Sequence, residues 1–147
     1  MKIKQLAMCV MSLLALSVLF GCTVNENHYG TEMKTINILA YQDAWYTTNV
    51  PMGTKGYYMY QEFSFPEINN SVLNTGAVLV YYIDNAGRDN ILPLVLPYED
   101  GPYDEITENI RYECENGILT IIIESSDFSS AERNSDMPFK VCILSKI

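Results

Sequence analysis

The chain has 147 residues, of which 18 are acidic, 9 are basic and one is a histidine, for a net charge of −9. Scattered Lys and Arg in an acidic chain exclude nucleic acid as a partner, because phosphate backbones are held by clustered cations. The single histidine, His28, sits in a polar segment with no frame to fix its imidazole, which argues against Ser-His-Asp and Cys-His mechanisms.

Residues 1–21 open with Lys2 and Lys4, carry no charge from Gln5 to Gly21, and are almost wholly apolar from Leu6 to Phe20. That is the three-part pattern of a secretory signal. The apolar stretch is about 15 residues, shorter than the 18 or more of a spanning helix. Leu19-Phe20-Gly21-Cys22 then resembles the lipobox of bacterial lipoproteins, with Phe20 a departure from the small or aliphatic residue usual there. The resemblance implies a diacylglyceryl thioether on Cys22, cleavage after Gly21, and acylation of the new amine. Two or three acyl chains give stable anchoring to a membrane where one would not. Thr23 stands where the inner-membrane retention signal would have Asp, so the expected address is the outer membrane of the bacterial cell envelope. Residues 22–34 read as a flexible polar tether and residues 35–147 as one folded domain. All 18 acidic residues but only seven basic ones follow Cys22, so the anchored portion carries −11. That charge supports solubility and repels anionic headgroups.

Strand signals dominate the domain. Residues 34–41 alternate Ile36, Ile38 and Ala40 against Thr35, Asn37 and Leu39. Residues 56–65 (GYYMYQEFSF) are rich in aromatics, which suit a pleated, half-buried surface. Residues 66–74, with Pro66 at the start and Gly76 near the end, predict one short helix. Residues 76–84 (GAVLVYYID) form a continuous apolar run, the mark of a buried central strand. Asp84-Asn85-Ala86-Gly87 predicts a hairpin turn. Residues 91–96 carry Pro93 and read as an edge strand. Residues 106–114 and 118–124 flank Asn116-Gly117, the pair that type I′ hairpin turns favour. A polar stretch, 125–138, precedes a last strand at 139–144. The expected fold is all-β: an antiparallel β-sandwich, immunoglobulin-like or similar, of about seven strands with one short helix.

Trp45, FSFPEI (63–68), SVLNTGAVLVYY (71–82), LPLVLPY (92–98), GILTIII (117–123) and the terminal FKVCIL resemble a group of small bacterial envelope lipoproteins with no assigned activity. The resemblance spans residues 35–147 and implies a β-sandwich. Its motifs are packing motifs and carry no functional residues with them.

Cys114 and Cys142 are the cysteines left to the domain, and in an oxidising compartment they are candidates for a disulfide or for two separate thiols. No CxxC is present, so no zinc or thiol-redox motif is expected, and no cofactor. Glu99, Asp100, Asp104, Glu105 and Glu108, in 98–108, form an acidic loop that is the best calcium candidate, although it lacks EF-hand spacing. Residues 84–90 (DNAGRDN) resemble a cation loop but lack the terminal bidentate Glu. A glycosidase needs two carboxylates across a cleft, and a short sandwich offers little depth for one. Trp45, Tyr46, Tyr57, Tyr58 and Tyr60 concentrate the aromatics, and Trp45, Tyr46 and Tyr58 are the candidate sugar-stacking rings. The expected function is non-enzymatic: a lipid-anchored module acting through contacts with another envelope protein, or alternatively a surface glycan-binding module.

Overall fold

The computed structural model describes residues 30–99, 105–129 and 135–146. The expected signal segment, Cys22 and His28 lie outside them. Nine strands and one helix follow in order: β1 (Thr31–Ala40), β2 (Tyr46–Thr47), β3 (Met59–Ser64), α1 (Asn70–Thr75), β4 (Ala77–Ile83), β5 (Asp89–Ile91), β6 (Leu94–Glu99), β7 (Glu105–Glu115), β8 (Ile118–Ser125) and β9 (Met137–Lys146). They form a four-stranded sheet of order β1-β9-β4-β5 and a five-stranded sheet of order β2-β3-β8-β7-β6. All pairs among the described residues are antiparallel. Neither sheet closes on itself, and the two pack over one core as a β-sandwich.

Period-two alternation sends one set of side chains from each sheet inward. β9 contributes Phe139, Val141 and Ile143, and β8 contributes Leu119, Ile121 and Ile123, all at most 3% exposed. Val80 of β4 and Ile110 of β7 fill the layer between them, with Phe65, Ile68 and Val72 closing one end. Each such side chain contributes about 1.5–3 kcal/mol relative to leaving it in water. The hydroxyl of Tyr112 crosses the sandwich and donates to the carbonyl of Val78 at 2.7 Å, tying β7 to β4.

Five expectations are corrected here. Residues 31–34 belong to β1 and not to the tether, because β9 runs on to Lys146 and pairs in register as far as Thr31. The helix starts at Asn70 and not at Pro66: Asn69 is its N-cap, its Oδ1 accepting from the amides of Ser71 (2.9 Å) and Val72 (3.1 Å). The Asn116-Gly117 turn is not type I′, since Gly117 has φ +82° and Asn116 has no positive φ. The Gly117 amide and carbonyl are held by Ile68 O (2.7 Å) and Phe65 N (2.8 Å), so contacts outside the hairpin set this peptide. The continuous apolar run of β4 is buried on one face only; of its seven residues Val80 alone is fully buried. Finally, the strand expected at 91–96 is two strands, β5 and β6, one in each sheet.

That last division sits at Pro93. The amide of Leu92 still bonds Val80 O of β4 at 2.9 Å, whereas Leu94 pairs with Ile110 of β7. Proline has no amide for a ladder, so the chain leaves one sheet and joins the other there. Both β5 and β6 are edge strands, as Pro93 predicts. The other missed strand, β2, is two residues long and too short for a periodic signal.

Candidate functional site

The outward face of the five-stranded sheet carries the aromatic concentration. In β3 the alternation places Met59 and Gln61 inward, both buried, and Tyr60 and Glu62 outward. Tyr57 is buried and Tyr58, next along, turns outward. The strand register then sets a row across four strands: Tyr46 opposite Tyr60, Tyr60 opposite Ile122, and Ile122 opposite Arg111. The next row is Glu62, Thr120, Glu113, and the one beyond it is Ser64, Ile118, Glu115.

Packing fixes the rings. Tyr46 and Tyr60 have centroids 5.8 Å apart at 35°, and Tyr58 meets Tyr60 edge-on at 6.2 Å and 65°. Both spacings fall in the range where aromatic pairs attract. The Arg111 guanidinium lies 5.7 Å from the Tyr58 ring centre and bonds Glu113 Oε1. Ile122 is apolar, on the outer face and still only 1% exposed, while standing apart from the central core. It forms an apolar floor for the rings. Tyr46, at 64% exposed, leaves its face open.

Beside these rings is a depression of about 360 Å³. Tyr58, Tyr60 and Ile122 line one side; Glu62, Glu113, Glu115 and Thr120 line the other, and Thr47, Thr48 and Asn49 close the β2 end. Thr48 is pinned by a bond from its amide to Tyr58 O at 3.2 Å and from its hydroxyl to Gly56 O at 3.3 Å. The depression thus offers ring faces, hydroxyls, an amide and carboxylates on strands that cannot shift independently.

Trp45 is not part of this surface. It precedes Tyr46 in the chain, so it turns to the other side, is partly buried and packs against the core. Its Nε1 is buried with no hydrogen-bond partner among the described residues. Of the three candidate stacking residues, Tyr46 and Tyr58 are on the outer face and Trp45 is not. Tyr60, Glu62, Arg111, Glu113 and Glu115 join them. Arg111 and Glu113 were visible as the polar half of an alternating strand, but their placement beside the tyrosines needed the register through β8.

The remaining candidates separate. Cys114 and Cys142 are free thiols. Cys114 packs inward from β7, whereas Cys142 is on the outer face of β9, 3.7 Å from Thr35 Oγ1. Of the two possibilities, a disulfide or separate thiols, the structure has separate thiols, one inside the sandwich and one beyond the four-stranded sheet. Burial pushes the Cys114 thiol up from its ordinary value.

Residues 98–108 are not one loop: Glu99 ends β6, Glu105 begins β7, and the intervening residues 100–104 lie outside the described ones. Glu108 turns into the sandwich and is 4% exposed. Among the described residues no group of three or more His, Cys, Asp and Glu is close enough to hold a metal ion. In the β4–β5 hairpin the Asp84 carboxylate is used by the turn, accepting from the amides of Ala86 and Arg88 (each 2.9 Å) and from Arg88 Nε (2.7 Å). The Arg88 amide first, with its guanidinium and the Ala86 amide, holds Asp84 below its usual value.

No helix among the described residues is long and apolar enough to cross a membrane. No family model matches the chain, and no curated protein or solved structure does so either.

Proposed function

We propose that this chain is a non-enzymatic, lipid-anchored module of the bacterial cell envelope, held by Cys22 in the outer membrane, that binds glycans on the outer face of its five-stranded sheet. The observation that carries the reading is the depression bounded by Tyr58, Tyr60 and Ile122 on one side and Glu62, Thr120 and Glu113 on the other. A saccharide ring has an apolar C–H face and a polar rim, and this surface offers an aromatic face beside hydrogen-bonding side chains. The immunoglobulin-like description of the sandwich belongs to the same proposal, supported by two antiparallel sheets over one core.

The carboxylates do not recommend a hydrolase. A glycosidase acid is kept protonated by a dry environment. Glu62 and Glu113 are exposed on an open surface, and Glu113 is already engaged by Arg111.

Contact with another envelope protein is a second reading, favoured by a different surface. The outer face of the four-stranded sheet is largely apolar: Met33 is 65% and Ile91 53% exposed, with Leu79, Tyr81, Cys142 and Leu144 half-buried between them. Lys140, on the same face, is paired with Asp89. In-cell crosslinking and recovery of the anchored chain separate the two. Polysaccharide recovered with the chain supports the glycan reading; a reproducible protein partner whose crosslinks map to Leu79 or Ile91, recovered without polysaccharide, replaces it.

A further inference from the structure

We infer that the depression on the five-stranded sheet selects a cationic saccharide, one bearing free amines, over its N-acetylated or carboxylated counterpart. This rests on the glycan-binding reading above and names the ligand class.

Charge at the site is the first ground. Three carboxylates, Glu62, Glu113 and Glu115, line the depression. Among the described residues Arg111 is the cation paired with them, and it is occupied by Glu113 and by the face of Tyr58. Glu62 and Glu115 form no ion pair or hydrogen bond among the described residues. Two carboxylates therefore face the ligand uncompensated, within a chain of net charge −9. A carboxylated sugar would meet repulsion from both, and an N-acetyl group would offer them no charge.

Spacing is the second ground. Glu62 and Glu113 are on β3 and β7, opposite one another across Thr120 of β8. Two strand separations put their backbones about 9.5 Å apart. That gap holds no metal-binding cluster among the described residues. It suits one ring lying over Thr120, with a charged hydrogen bond of about 2.8 Å reaching out to each side. Glu115, two residues along β7 from Glu113, extends the acidic side in the strand direction. A ligand with an amine on successive units would match this row, and Tyr60 supplies the face on which a unit stacks. An ammonium beside Tyr58 and Tyr60 also gains from the negative ring faces.

The test uses the full anchored chain in neutral detergent and three oligosaccharides of equal length: glucosamine, N-acetylglucosamine and galacturonate. Titration calorimetry is expected to show the glucosamine form bound about tenfold tighter than the N-acetylated form, as two partly screened charge contacts allow. The preference should fall away in about 1 M salt, where screening acts within about 3 Å. The double variant Glu62→Gln, Glu115→Gln should lose the preference and bind the aminated and N-acetylated forms equally. Equal affinity for the aminated and N-acetylated forms overturns the cationic selection and leaves the glycan reading standing. Binding of none of the three overturns both. A lysine oligomer that binds as tightly as the glucosamine form, and survives Tyr60→Ala, overturns the saccharide assignment in favour of a basic peptide.

Discussion

Tyr60 is the ring that both Tyr46 and Tyr58 contact, and it lines the depression, so its removal dismantles the stacking face. Tyr60→Ala is expected to weaken glycan retention about three- to tenfold in affinity electrophoresis, with little change in melting temperature. Trp45→Ala should do the reverse: the side chain packs against the core, so its loss lowers stability and reaches the ligand only indirectly. Gly76 has a different constraint. Its φ of −105° is open to any residue, but a Cβ there would lie 2.1 Å from the Leu144 carbonyl oxygen. Gly76→Ala must push α1 away from β9 and is expected to destabilise the fold by about 1–3 kcal/mol in urea melts. Cys114 and Tyr112 predict an alkaline limit. Burial raises both, and for Tyr112 the neighbouring Cys114 and Tyr81 add to it. Each group stays neutral in the folded chain at a pH where the unfolded chain ionises. Their contribution is complete below the ordinary thiol and phenol values, about 8.5 and 10, and is lost as pH rises through the raised folded values. Melting temperature should hold to about pH 8 and fall toward about pH 11, and Cys114→Ala with Tyr112→Phe should flatten that fall.

At the level of elements, the strands with strict alternation were legible in the sequence and the irregular ones were not. β7 and β8 could be read from residues 106–124 because apolar and polar positions alternate or β-branched residues run together around Asn-Gly. β4 was legible as a strand, but its surroundings were misread. Apolar residues on both faces imply cover on both, and here the outer face is open to solvent apart from its neighbours in the sheet. The thiols test the assignment of faces: Cys142, outward on β9, should react with a maleimide before Cys114, which packs inward. Peptide mapping of the unreduced chain that finds the two in one disulfide-linked fragment would contradict the placement of β7 and β9. The helix boundary was missed because Pro66 is a common first helical residue, whereas Asn69 offers a side-chain acceptor to two free amides and so begins the helix later.

Across the whole molecule, the two sheets present different outer faces: one with tyrosines and carboxylates, the other largely apolar. This divides the two proposed roles between opposite sides of the sandwich. Leu79→Lys with Ile91→Lys is expected to remove any protein crosslinked at the four-stranded sheet while leaving glycan affinity unchanged. The sequence by itself determined the all-β class, most of the strands, the position of the hairpin turns and the edge character around Pro93. These follow from local periodicity and turn chemistry, which act over a few residues. It also singled out Tyr46 and Tyr58 as candidates. Tertiary structure alone decided that Trp45 turns inward, that the four-stranded sheet separates Cys142 from Cys114, and that the strand expected at 91–96 divides between two sheets. It also brought Glu62, Arg111, Glu113 and Glu115 to the same surface as Tyr58 and Tyr60. These outcomes depend on which strands become neighbours and in what register, and pairing across β3, β8 and β7 joins residues some fifty positions apart in the chain. Period-two alternation says that a side chain is on one of two faces; only the packing of the second sheet says which face is the inside.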